Sequence, residues 1–253
     1  MKIAVCIKQV PTREWQPRLN DQKTWIREAD VSYEMNEPDA YALEEALRLR
    51  EKHGGEVVVC SAGPPRAQTV IREALARGAD RAIHVEHDSL GAADALVIAD
   101  ALAAAMKDEQ FDLVLTGLQS DDQGHGQTGV ILAERLGVPS STIIMEVQVE
   151  GTSLRVKREL EGGWFQWIAM PLPALLTIQS GINQLRYATL KGIMAAKKKE
   201  IRKASLPDGA QPSQQIVSLA VPTRSKQTQM ISGAPADAAR ELVKRLREEA
   251  RAL

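Results

Sequence analysis

The chain has 253 residues, 44% of them hydrophobic, which is enough apolar material for a large core and allows one or two domains. A formal net charge of -1 argues against a general polyanion binder, because holding a phosphate backbone needs a basic surplus, and leaves only a local basic patch open. Two cysteines, Cys6 and Cys60, are too few for a disulfide framework and sit in apolar runs, so they read as buried thiols of a reducing compartment.

The opening Met1-Lys2-Ile3-Ala4-Val5-Cys6-Ile7 is too short an apolar run for a secretory signal, and no run approaches the ~20 residues of a membrane span. The expectation is a soluble, cytoplasmic protein. Residues 2–7 read as a buried first strand. Residues 11–35, with Pro11, Pro17, Asn20 and Asp21, read as irregular. Ala42, Leu43, Ala46, Leu47 and Leu49 recur at helical spacing within 39–53, and Gly54-Gly55 closes that helix. A second strand at 56–60 leads to a helix opened by Pro64-Pro65 and running to 76. A third strand follows at 81–85, an alanine-rich helix at 92–106, a fourth strand at 111–116 and a helix at 126–136 closed by Gly137. Strands alternating with helices of this length need crossover connections, hence a mostly parallel sheet covered on both faces, a three-layer α/β/α fold.

Past residue 140 the pattern changes. Segments 141–149, 154–159, 164–169 and 174–178 read as strands joined by the short turns Glu150-Gly151-Thr152 and Glu161-Gly162-Gly163, predicting antiparallel strands added to the sheet edge. Residues 197–200 are a charged run, and 204–215 are polar with Pro207, Gly209 and Pro212. Such a stretch is a linker or an arm that lies on something else. A closing helix is expected over 235–253.

The most informative loop follows the fourth strand. Gly124, Gly126 and Gly129 match G-x-G-x-x-G, a weak dinucleotide signature here because it follows the fourth strand rather than the first. The local physics is stronger. Glycines admit close backbone approach, a helix starting near Gly126 points free N–H groups at an anion, and Thr128 adds a hydroxyl. The carboxyl end of a parallel strand is also where such folds hold ligands. The plainer alternative is a glycine-rich helix entry without a ligand. Ser61-Ala62-Gly63-Pro64 is either a surface for adenine or ribose or an ordinary strand-to-helix turn. In Asn36-Glu37-Pro38-Asp39, Asp39 reads as a helix N-cap. His125 reads as a solvated loop histidine, and no nucleophile-base pair can be placed.

Val156, Arg158, Glu161-Gly162-Gly163, Gln166 and Ile168, then Pro173 and Leu175-Leu176-Thr177, resemble the signature segment of the electron-transferring flavoprotein beta subunit family. Arg186-Tyr187-Ala188-Thr189-Leu190, Ile193-Met194 and Ala196-Lys197-Lys198-Lys199 resemble its next segment. Lys8, Asn36, Glu44-Glu45-Ala46, Ser61, Gly63-Pro64 and Arg77-Gly78-Ala79-Asp80 fall in the family's order, so the resemblance covers roughly residues 1–203.

The resemblance implies a Rossmann-like fold of the adenine-nucleotide type. It implies a nucleotide-binding domain over 1–185 and a partner-docking segment with a C-terminal arm over 186–253. It implies an electron carrier rather than an enzyme, paired with an alpha subunit that holds most of the FAD. Such a carrier takes electrons from acyl-CoA-type or related flavin dehydrogenases and passes them to a quinone-linked oxidoreductase. It further implies one structural AMP touching Cys6, Asn36, Asp39, Ala62 and Gly63, and the loop residues Asp122, Gly124, Gly126, Gln127, Thr128 and Gly129. Leu190 stands at the family's dehydrogenase-docking leucine, followed by Lys191 where a proline is common. Electron-bifurcating relatives, which oxidise NADH, carry Asp-Gly-Asp-Thr in this loop and bind a second FAD in place of AMP. Here Asp122-Gln123-Gly124-His125 stands there. An aromatic residue of the family's early loop is replaced by Arg13, with Trp15 nearby. A nucleotide-hydrolysing enzyme of the same fold would need a serine- and glycine-rich loop after the first strand, where this chain has Lys8-Gln9-Val10-Pro11.

Overall fold

The computed structural model describes residues 1–222 and 228–252. In chain order the elements begin with β1 (Lys2–Cys6), β2 (Gln9–Pro11), β3 (Tyr33–Met35), α1 (Glu37–His53), β4 (Glu56–Gly63) and α2 (Gln68–Arg77). They continue with β5 (Arg81–Glu86), α3 (Ala95–Met106), β6 (Leu113–Gly117), α4 (Thr128–Leu136), β7 (Ser140–Glu150), β8 (Ser153–Glu159) and β9 (Phe165–Pro171). Last come β10 (Ala174–Ile178), α5 (Leu190–Ala196), β11 (Ile201–Ala204) and α6 (Pro235–Glu248). Nine strands form one sheet in the order β11-β5-β4-β1-β6-β10-β7-β8-β9, and β2 and β3 form a separate antiparallel ribbon.

Apolar residues on both sides of β1, β6 and β10 require cover on both faces, and the helices provide it. On one face Leu43 and Leu47 of α1 and Ile71 and Leu75 of α2 pack on Ile3, Val5 and Leu115. On the other, Ala99 and Leu102 of α3 and Leu132 of α4 pack on Cys6, Cys60 and Val114. The result is the three-layer α/β/α fold expected from the alternation.

Two differences from the expectation bear on the large sheet. Residues 174–178 do not add to the edge: β10 lies inside the sheet, parallel to β6 on one side and to the start of β7 on the other. All five of its residues are buried, so Ala174-Leu175-Leu176-Thr177-Ile178 is apolar because it is central, not because it continues a meander. The meander at that edge is β8, antiparallel to β7, and β9, antiparallel to β8. The second difference is β11, which the charged composition of Ile201-Arg202-Lys203-Ala204 conceals. It adds to β5 in parallel as an edge strand. Its charges are held at the rim, Arg202 on Glu109 at 3.0 Å and Lys203 on Glu86 at 2.6 Å.

Because β11 belongs to the sheet, the first compact unit extends past residue 185 and runs Met1–Leu219. The second unit is Ala220–Leu253, built on α6, which begins at Pro235 and buries none of its residues. An Arg245–Glu241 pair at 2.7 Å, one turn apart, lies along that helix. Residues 223–227 and Leu253 of the expected arm and closing helix lie outside the described residues.

Candidate functional site

The carboxyl ends of β1, β4 and β6 open onto a cleft lined by the loops that follow these strands. Its anchor is Asp39. The carboxylate does not cap α1: Asn36 occupies the N-cap position, and Asp39 lies in the first turn, buried. There it accepts the backbone N–H of Lys8 at 2.7 Å and that of Gly117 at 3.0 Å. These two donors emerge where β1 and β6 end, so an inward carboxylate satisfies groups that the sheet cannot. Burial drives the Asp39 carboxyl up to about 7, against the pull of bonds from Lys8, Asn36 and Gly117 and of the Lys8 charge. Any side chain at 117 would overlap Asp39 and Pro38, which makes glycine obligatory there.

Asn36 ties the loop after β6 to α1. Its amide donates to the Gln119 carbonyl at 3.0 Å, and its oxygen accepts the Asp121 N–H at 2.9 Å. Lys8 holds the same loop from the β1 side. Its ammonium donates to Asp122 at 2.7 Å, Gln123 at 2.9 Å and Ser120 at 3.3 Å. Gly124 and Gly126, with φ of 65° and 63°, turn the chain toward α4. No side chain caps the α4 N-terminus, so its first N–H groups face the cleft beside Gln127 and Thr128. A Cβ on Gly129 would stand 2.7 Å from both Thr116 Oγ1 and Thr177 Cγ2, so glycine lets α4 seat directly on β6 and β10.

Cys6, Asn36, Asp39, Ala62, Gly126, Gln127, Thr128 and Gly129 therefore all line one cleft. Gly63 and Asp122 line a smaller adjoining cavity, and Gly124 shapes the loop without lining either. Thr116 and Gly117, at the start of the loop that the sequence nominated, complete the site, as does Lys8, which was not singled out for it; its signal was position, directly after the first strand. His125 is exposed at the rim. Opposite the polar loop the wall is apolar, from Ala62, Leu90, Ile98 and Leu102. Burial pushes the Cys60 thiol up to about 12 and raises that of Cys6, with Cys60 and Asp39 adding to the Cys6 shift, so both stay protonated. Among the described residues no group of three His, Cys, Asp or Glu side chains is placed to hold a metal. An apolar wall facing hydrogen-bond donors at a helix N-terminus suits a ligand with a flat base and an anionic end.

A second feature lies on α5. Thr189 caps it through a bond from the Gly192 N–H at 3.0 Å, and Gly192 packs against the Ala76 carbonyl. Arg72 donates to the carbonyls of Ala196 at 2.6 Å and Lys199 at 2.8 Å, clamping the helix to α2. Lys199 turns inward to the carbonyls of Leu75 and Ala79, whereas Lys197 and Lys198 are exposed. The clamp leaves Leu190 79% exposed beside Tyr187 and Met194, so Leu190 is not a core contact.

Sheet order, helix layers and the loops gathered at the strand ends define a Rossmann-like α/β protein of the adenine-nucleotide type. The model of the electron transfer flavoprotein domain matches residues 23–209. The chain is 35% identical to the electron transfer flavoprotein subunit beta of Methylophilus methylotrophus, over 98% of each chain. It is 37% identical to the Bacillus subtilis subunit beta, over 90% of this chain and 91% of the other. It is 38% identical to the mitochondrial subunit beta of Oryza sativa subsp. japonica, over the whole of both. The chain belongs to the electron transfer flavoprotein family as a subunit beta, an electron-transfer protein rather than an enzyme. Among its described residues no helix is long and apolar enough to cross a membrane.

Proposed function

We propose that this chain is the nucleotide-holding small subunit of a cytoplasmic, heterodimeric electron carrier. Its partner is an alpha subunit that holds most of the FAD. The observation that carries the reading is the cleft, lined by the uncapped N-terminus of α4, Thr128 and Lys8 together with the apolar Ala62, Leu90 and Ile98. These residues fit AMP. The N–H groups of the first α4 turn and the Thr128 hydroxyl bind the phosphate, the Ala62, Leu90 and Ile98 wall receives the base, and Asn36 and Asp39 hold the loop in place. AMP in this role is structural, because the buried protonated thiols and the engaged Asp39 offer no reacting group.

The flavin, when bound, supplies the redox chemistry. This chain contributes a fixed platform and a docking point. Leu190, exposed on a helix clamped to α2, presents an apolar side chain to a flavin dehydrogenase, and Lys197 and Lys198 add positive charge nearby. Electrons then leave for a quinone-linked oxidoreductase. The test is to purify the chain with its larger subunit and mix the complex with a reduced flavin dehydrogenase in a stopped-flow spectrometer. Bleaching of the carrier's flavin absorbance, at a rate that rises with carrier concentration, supports the reading. A complex that holds no flavin, or one whose flavin never accepts electrons from any such dehydrogenase, overturns it.

A further inference from the structure

Between the end of β10 at Ile178 and the start of α5 at Leu190 the chain forms neither α-helix nor strand, so no backbone ladder fixes the approach to the docking helix. One face of α1 fixes it instead. Tyr41, Glu44, Glu45, Arg48 and Glu51 recur at helical spacing, and each holds part of residues 183–186. The Asn183 amide donates to the Tyr41 carbonyl at 3.2 Å and to Glu45 at 3.1 Å, and Arg48 donates to the Gln184 carbonyl at 3.0 Å. The Arg186 guanidinium lies between two carboxylates of α1. It donates to Glu44 at 2.7 and 3.1 Å and to Glu51 at 2.6 and 3.2 Å. The Arg186 N–H adds a bond to Glu44 at 3.3 Å. Glu44 is buried, whereas Glu51 lies at the surface. Burial raises the Glu44 carboxyl, but the bonds from Arg186 and Arg48 outweigh it and hold the group below its ordinary value, so it stays ionised. Tyr187 and Leu190 follow directly, both exposed.

We infer that Glu44 is a positioning residue for docking: through Arg186 it holds the segment that leads into Leu190. This rests on the docking reading of Leu190. Arg72 of α2 clamps the far side, so the exposed turn from Tyr187 to Leu190 is pinned on α1 before it and on α2 after it. A forked guanidinium–carboxylate pair fixes direction as well as distance. The partner therefore meets an apolar side chain already in place, and the entropy of ordering the segment is lost on folding rather than on docking. Loosening the latch shifts that loss to the encounter. It weakens docking and leaves electron transfer within the docked complex unchanged.

The experiment is steady-state reduction of the purified heterodimer by an acyl-CoA dehydrogenase supplied with its acyl-CoA substrate, the heterodimer being the varied reactant. Glu44→Gln should raise the KM for the heterodimer about five- to tenfold and change kcat less than about twofold, with flavin content as in the wild type. Arg186→Lys keeps the charge and loses the fork, so it should raise KM in the same way. Glu51→Gln, at the surface, should raise KM about two- to threefold and keeps the test decisive if Glu44→Gln folds poorly. In Glu44→Gln/Leu190→Ala, KM should stand within about twofold of Leu190→Ala alone, because the latch acts only through Leu190. Latch variants with the wild-type KM, or with losses that multiply with that of Leu190→Ala, overturn the role of Glu44 and leave docking through Leu190 intact. A wild-type heterodimer that the dehydrogenase does not reduce, or a Leu190→Ala heterodimer with the wild-type KM, overturns the docking reading and the positioning role with it.

Discussion

The Asp39 carboxylate accepts the backbone N–H of Lys8 at 2.7 Å, joining the first turn of α1 to the end of β1. Its other oxygen does the same for Gly117 at the end of β6. One buried group therefore fixes the three elements that frame the cleft. In the unfolded chain this carboxyl titrates near about 4, and in the folded protein at about 7, so the folded state binds more protons between those values. Its contribution to stability is thus fully present below about pH 4 and is lost as pH rises toward 7 and beyond. Asp39→Asn should flatten that slope. It should also cost about 1–3 kcal/mol at low pH, because the amide leaves one of the two N–H groups without an acceptor. Urea unfolding across pH checks both, and an unchanged slope in the variant would contradict the assignment.

Gly117 is the steric counterpart of Asp39. Gly117→Ala places a methyl on the Asp39 oxygen, and the overpacking should cost about 1–3 kcal/mol. Thermal unfolding with and without AMP measures it, and stability equal to the wild type would show that the contact relaxes freely.

Thr128 sits in the first turn of α4, facing the cleft. Thr128→Val keeps the shape and removes the hydroxyl, so AMP should bind roughly three- to tenfold more weakly while adenosine binds as before. Titration of both ligands separates phosphate from base. Equal weakening of adenosine would move the hydroxyl away from the phosphate.

Leu190 is exposed, so Leu190→Ala should change stability by no more than about 0.5 kcal/mol and leave assembly and FAD content intact. Electron transfer from a partner dehydrogenase should nevertheless slow at limiting partner concentration. Gly192→Ala should slow it as well with Leu190 in place, because a methyl there collides with the Ala76 carbonyl and shifts α5. Stopped-flow transfer rates decide, and unchanged rates in both variants would remove α5 from docking.

The alternation of strands and helices over residues 2–136 was legible because each segment has its own periodicity and glycine or proline boundaries. The central place of β10 was not, since an apolar five-residue run reads alike at a sheet's centre and in a meander, and only pairing distinguishes them. β11 was hidden by Arg202 and Lys203, whose side chains snorkel to rim carboxylates while the backbone pairs with β5. Asp39 looked like a cap because capping is local, whereas its partners Lys8 and Gly117 are 31 and 78 residues away. The glycines and Thr128 of the loop were readable, because helix-entry chemistry is written in adjacent residues. The role of Lys8 was not, since its partners lie more than 100 residues along the chain.

The most direct measurement is the identity of the nucleotides released when the heterodimer of this chain and its larger subunit is denatured. One FAD and one AMP for each heterodimer is the result predicted by a cleft that holds AMP beside an FAD-holding partner. Two FAD and no AMP would contradict it, and would place a second flavin in this chain's cleft.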